Sequence, residues 1–203
     1  MKPPIQQCCS FNKGLLAGAI ALLLMGGCAS TIPAPPSAPT SCAALNGFVI
    51  PQQTIGLPTR GAVVTSAVVV PAAGAGVAAV AEYCKVLGDI NPLDPAAPKI
   101  KFQVNLPSNW NGKALMFGGG GYNGVLAIGL GNVPAGSTDK PAPLARGYAT
   151  FGSDSGHHAN ANGSRDGNFG TNDEALKNYE KRWDTTDLLL IRSCSHRYLL
   201  GYN

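Results

Sequence analysis

The sequence predicts an α/β domain behind an N-terminal leader. Three observations carry this. An apolar leader and a Pro-rich stretch precede any strand signal; short β-branched and alternating runs then follow; and an amphipathic helix comes after them. The 203 residues suffice for one ordinary domain. Only 13% are charged, against about 25% in typical globular chains. The net charge is +4, or +2 without Lys2 and Lys13 of the leader. No block of like charge exists, which argues against a polyanion such as nucleic acid as partner. No heptad or long repeat points to a coiled coil or solenoid.

Residues 1–27 read as an export signal. Gly14 to Gly27 is an apolar run of 14 residues, the length of a signal core and short of the ~20 that span a membrane. It ends Met25-Gly26-Gly27-Cys28, which resembles a lipobox whose Cys28 thiol takes lipid and becomes the mature N-terminus. Ordinary signal cleavage, with Cys28 incidental, is the other reading. Ala29 after Cys28 resembles outer-membrane sorting. The expected location is the periplasm or outer membrane, or outside the cell. Residues 28–40 form a Pro-rich tether, and the domain occupies 41–203.

Within the domain, Ala62 to Val70 is β-branched and reads as a strand. Pro71 to Val80 is a small-residue loop or edge. Asn91 to Pro98 holds three prolines and is a surface connection. Ile100, Phe102, Val104 and Leu106 alternate with Lys101, Gln103 and Asn105, the pattern of a half-buried strand whose polar residues face outward. Pro107 to Gly112 turns. Lys113 to Phe117 is a short apolar strand that stops at four glycines. Pro141 to Arg146 is a helical turn, and Tyr148 to Phe151 a strand. Thr171 to Glu174 has the form of a capping box, with Glu174 satisfying the first-turn amides. Leu176, Tyr179, Trp183 and Leu190 follow helical spacing, and Arg197 to Tyr202 is a last strand.

Two segments carry chemistry. Gly119-x-Gly121-x-x-Gly124 has the spacing of a dinucleotide fingerprint. That motif must open a helix, yet Gly129, Gly131, Pro134 and Gly136 follow. Asp139, the candidate acidic partner, lies 15 positions after Gly124 rather than ~20. The second reading is an oxyanion hole, where bare backbone N–H groups approach a developing negative charge. The third is a tight loop without chemistry. Asp154-Ser155-Gly156-His157-His158 offers metal-ligand or acid/base types, or simply a hydrogen-bonded turn. The adjacent histidines diverge and no third ligand is near in sequence. Cys42 and Cys84 are 42 positions apart and form either a disulfide in an oxidising compartment or two buried thiols. Cys194 is left over.

Leu106-Pro107-x-x-Trp110-Asn111-Gly112-Lys113, Gly118 to Gly124, Gly147-Tyr148-Ala149 and Asp154-Ser155-Gly156-His157 occur in order. Together they resemble the tannase/feruloyl esterase family of exported serine esterases, from about Cys42 to Glu174. The resemblance implies an α/β-hydrolase fold, a Ser-His-Asp triad, phenolic-acid esters as substrates, and no cofactor or metal. Gly121, with Gly120, resembles the oxyanion-hole position. Asp154 and His157 match a family motif outside the triad. The family's nucleophile elbow follows the next strand, where this chain reads Tyr198 to Gly201, and Asn203 falls at the serine's place. The expectation is therefore the N-terminal part of a hydrolase sheet, truncated near the elbow, lacking lid, Asp and His, and inactive alone. Ser195-His196 are adjacent and cannot form a nucleophile–base pair. A membrane-tethered binding lipoprotein and a nucleotide-dependent oxidoreductase are the rival functions.

Overall fold

A computed structural model describes residues 41–180, apart from 57, 134, 135, 138 and 160–162. The expected signal, Cys28, the tether, the helix beyond residue 180, Cys194, Ser195-His196, the last strand and Asn203 lie outside the described residues. None of the described helices is long and apolar enough to cross a membrane.

Among the described residues, six strands form one mixed sheet: β1 (Val49–Ile50), β2 (Ala62–Val70), β3 (Tyr83–Ile90), β4 (Ile100–Pro107), β5 (Ala114–Phe117) and β6 (Ala149–Ser153). Their order is β1-β2-β3-β4-β6-β5. Only β5 and β6 run parallel, with Phe117 opposite Gly152. The β-branched run of β2 pairs antiparallel with β3 from Val70↔Tyr83 to Ala62↔Ile90, with a bulge between Val64 and Ser66. The core lies on the face carrying Val64, Val86, Val104, Leu106 and Phe151. Cys42, in a 3-10 turn spanning Cys42–Leu45, is joined to Cys84 in β3 with Cα atoms 5.6 Å apart, so the disulfide reading holds in the structure.

Three local readings are corrected. The family resemblance places Cys84 before a strand, whereas it lies inside β3. In β3 Cys84, Val86 and Ile90 face inward at period two; Gly88 breaks the apolar series because the Phe102 ring lies across it. In β4 the polar residues Gln103 and Asn105 are buried, not outward. A later loop covers that face, and its Ile128 carbonyl accepts from Gln103 Nε2 (3.2 Å) and Asn105 Nδ2 (2.8 Å).

The third correction concerns α1 (Asp173–Glu180). Asn172 Oδ1 accepts from the Ala175 N–H at 2.8 Å and caps the helix. Glu174 instead turns to the Pro-rich connection, where its two oxygens accept from the Leu93 N–H at 2.6 Å and the Asp94 N–H at 2.5 Å. A carboxylate on two backbone donors is a charge-assisted clasp. Glu174→Ala is expected to lower stability by about 1–2 kcal/mol, read by thermal melting, while Lys177→Ala leaves the melt unchanged. Equal melts for both variants would contradict the clasp.

Candidate active site

β5 and β6 end side by side, so the segments that follow them share one end of the sheet. Phe117 leads into Gly118 to Gly121, and Ser153 leads into Asp154. Sequence placed these two motifs apart; parallel pairing brings them together. The glycine run opens no helix: residues 118–131 are loop. The pyrophosphate site of the dinucleotide reading is thus missing its helix. Asp139 is exposed, and its carboxylate pairs with Lys140 at 3.5 Å.

The loop is stitched to the strand end by backbone bonds. Gly124 N–H donates to the Asp154 carbonyl (3.2 Å), Ala127 N–H to Ser153 (3.2 Å), and Ala159 N–H to Gly124 (2.9 Å). Within it, Asn123 N–H donates to the Gly120 carbonyl at 2.9 Å, closing a turn in which Gly121 has φ +59°. A Cβ added at Gly120 would meet nothing within 4 Å. The backbone at Gly120 is therefore open on its Cβ side.

Asn123 and Ser155 are both buried and both have positive φ, +61° and +63°. Asn123 Nδ2 donates to Ser155 Oγ at 2.6 Å and to the Ser153 carbonyl at 3.2 Å. A cavity of about 10 Å³ beside them, lined by Met116, Gly118 and Gly119 among others, is of the size of one water. Farther along, Asn105 Nδ2 bonds both Ile128 O and Thr150 Oγ1 (3.0 Å), tying the loop to β6.

Asp154, His157 and His158 take three different environments. Asp154 Oδ1 accepts from Lys101 N–H and Gly156 N–H, each at 3.0 Å. Its Oδ2 lies 3.3 Å from His158 Nε2. His157 is buried; its Nε2 contacts the Tyr122 carbonyl, and its ring stacks on Phe169 with centroids 4.0 Å apart. The histidines diverge, as their adjacency requires. His157 thus sits between the loop, through the Tyr122 carbonyl, and the turn that carries Phe169.

Burial pushes the Asp154 carboxyl up to about 6, against the opposing pull of the Gly156 and Lys101 N–H groups and the Lys101 and His157 charges. Burial also lowers His158, aided by the Lys101 charge and opposed by Asp89. A raised carboxyl contributes stability that is complete below 3.8 and lost as pH rises through about 6. At about 1.4 kcal/mol per pH unit this reaches roughly 3 kcal/mol, offset in part by His158, whose shift acts in the opposite sense. Melting from pH 4 to 7 is expected to show a decline that Asp154→Asn flattens. An identical slope in wild type and variant would contradict it.

Sequence reasoning named Gly120, Gly121, Asp154 and His157 and missed what connects them. Asn123, Ser155, Gln103, Asn105 and Thr150 form the buried polar supports. The available signal was an Asn and a Ser, each beside a glycine, at turn positions.

Comparison with known proteins follows the same segment. Residues 84–186 match the family described as tannase and feruloyl esterase. An uncharacterized esterase of Agrobacterium fabrum is 48% identical over 155 residues, which are 74% of this chain and 27% of that protein. The mono(2-hydroxyethyl) terephthalate hydrolase of Piscinibacter sakaiensis is 36% identical over 97 residues, 46% of this chain and 16% of that one. The crystal structure of an esterase from Aspergillus oryzae shares the fold with a TM-score of 0.50 at 18% identity, covering 80% of this chain and 31% of that one. The chain thus spans about a quarter or less of the length of these curated relatives.

Proposed function

Since the chain belongs to the tannase and feruloyl esterase family, we propose that it forms the oxyanion-hole half of a carboxylic ester hydrolase acting on phenolic-acid esters. The observation that carries this is the glycine loop at the paired ends of β5 and β6, hydrogen-bonded to the end of β6 and open beside Gly120. In this reading the N–H groups of Gly121 and Gly120 receive the oxyanion of the tetrahedral intermediate. Side chains there would block the carbonyl, which accounts for the glycines.

In this reading the described sheet is the N-terminal part of an α/β-hydrolase core, and the chain spans about a quarter or less of the length of its curated esterase relatives. Neither serine beside the loop suits the nucleophile's role. Ser155 Oγ is held by Asn123, and Ser153 Oγ accepts from the Ser155 N–H. His157 is committed to Tyr122 and Phe169. Export, with lipid on Cys28 holding the protein at the outer membrane, completes the proposal. The binding-lipoprotein and oxidoreductase readings gain nothing from esterase relatives, and the loop opens no helix for a pyrophosphate.

The direct test is the 203-residue chain with an activated ferulate or gallate ester. We expect neither turnover nor a stoichiometric burst, because an oxyanion hole stabilises charge only after a nucleophile has attacked. A burst abolished by Ser155→Ala or Ser195→Ala would show that this chain assembles a site of its own.

A further inference from the structure

We infer that Asn123 is a positioning residue that fixes the Gly120–Gly121 peptide against the end of β6, using Ser155 as its anchor. The inference rests on the reading of Gly120 and Gly121 as oxyanion donors. It starts from an oddity of backbone. Two non-glycine residues, Asn123 and Ser155, hold left-handed φ values, a conformation uncommon outside glycine. Both are buried, and each contacts the other through its side chain. Such a pair persists only where surrounding contacts determine it, and it clusters at functional sites.

Asn123 grips the glycine run at two points. Its backbone N–H closes the turn on the Gly120 carbonyl at 2.9 Å. Its side-chain amide occupies the space beneath Gly119, where an added Cβ would fall on Oδ1 and Cγ. The same amide reaches the sheet through the Ser153 carbonyl (3.2 Å) and Ser155 Oγ (2.6 Å). One residue therefore bridges the loop before Gly120 and the last residue of β6 through its side chain and closes the turn around Gly121 through its backbone. The glycines give access but no stiffness; Asn123 supplies the stiffness that preorganised donors need. Asn is suited to this because it tolerates left-handed φ and brings a two-proton donor and an acceptor on a short stem.

The test uses Ser155→Gly and Asn123→Asp in the 203-residue chain. The first removes the anchor and accepts φ +63° without strain; the second keeps size and φ tolerance but removes the donor. Neither changes residues 119–121. Amide order parameters from ¹⁵N relaxation at Gly120 and Gly121 are expected to fall from the rigid value of about 0.85 to below about 0.6 in both variants. Exchange protection of β3 and β4 amides stays as in wild type, which a merely global loss of stability would not permit. In a hybrid that replaces the matching segment of the Agrobacterium esterase by this chain's residues, each variant lowers kcat at least 10-fold with KM unchanged. Order parameters that stay rigid in either variant, or loosening spread through β3 and β4, would overturn the inference and leave the esterase reading standing. A loosened loop with unchanged kcat would instead overturn the oxyanion reading of Gly121.

Discussion

Gly124→Val is expected to lower the melting temperature of the domain by about 10–20 °C. Gly124 has φ +78°, where a β-branched residue is strained by a kcal/mol or more. Its new Cβ would also lie 2.5 Å from His157 Cε1 and 2.7 Å from Ala159 N. Neither neighbour can yield cheaply. His157 is held between the Tyr122 carbonyl and the Phe169 ring, and Ala159 N–H is bonded to Gly124 itself. Strain and overpacking together reach about 3–5 kcal/mol, which scales to that shift in a domain of this size. Gly120→Ala is the control: its φ is not left-handed, its Cβ meets open space, and its melt should move by no more than about 2 °C. A Gly124→Val melt equal to the control would contradict the packing described here.

Reduction of the Cys42–Cys84 bond is expected to have an effect of similar size. The bond closes a loop of 42 residues, and chain entropy assigns such a loop about 4 kcal/mol. Both cysteines are buried, so the reduced thiols lose the link without gaining solvation. The residues enclosed include β1 and β2, which among the described residues pair beyond each other with β3 alone. These strands should therefore lose exchange protection before β4 and β6. A melt unchanged after reduction verified by mass would contradict this.

The strands legible in sequence were those whose signal is local. Ala62–Val70 is continuous and β-branched, and Ala114–Phe117 is a short apolar run stopped by glycines. β3 was obscured by Gly88, a residue explained by its neighbours on both sides, the Phe102 ring of β4 and the Val63 carbonyl of β2. The polar alternation of β4 correctly marked a strand but misplaced Gln103 and Asn105, because a loop far along the chain buries them. Glu174 shows the same limit. A capping box is a local pattern, and its acid was taken instead by amides 80 positions earlier. In the candidate site, residue types gave away the glycines, Asp154 and His157. The bridge through Asn123 and Ser155 depends on a parallel pairing of β5 with β6 that no spacing in the sequence encodes.

In the proposed function Gly121 donates its N–H to the oxyanion of an ester hydrolase. The most direct measurement is ester hydrolysis by the Agrobacterium hybrid, with Gly121 intact and as Gly121→Val. The account predicts that the folded hybrid hydrolyses a phenolic ester and that the variant, which keeps the N–H but sets a branched side chain at φ +59° in the path of the carbonyl, stays folded by circular dichroism and loses at least about 10²-fold in kcat. A folded hybrid with no activity where the parent esterase is active, or a Gly121→Val hybrid as fast as its parent, would contradict it.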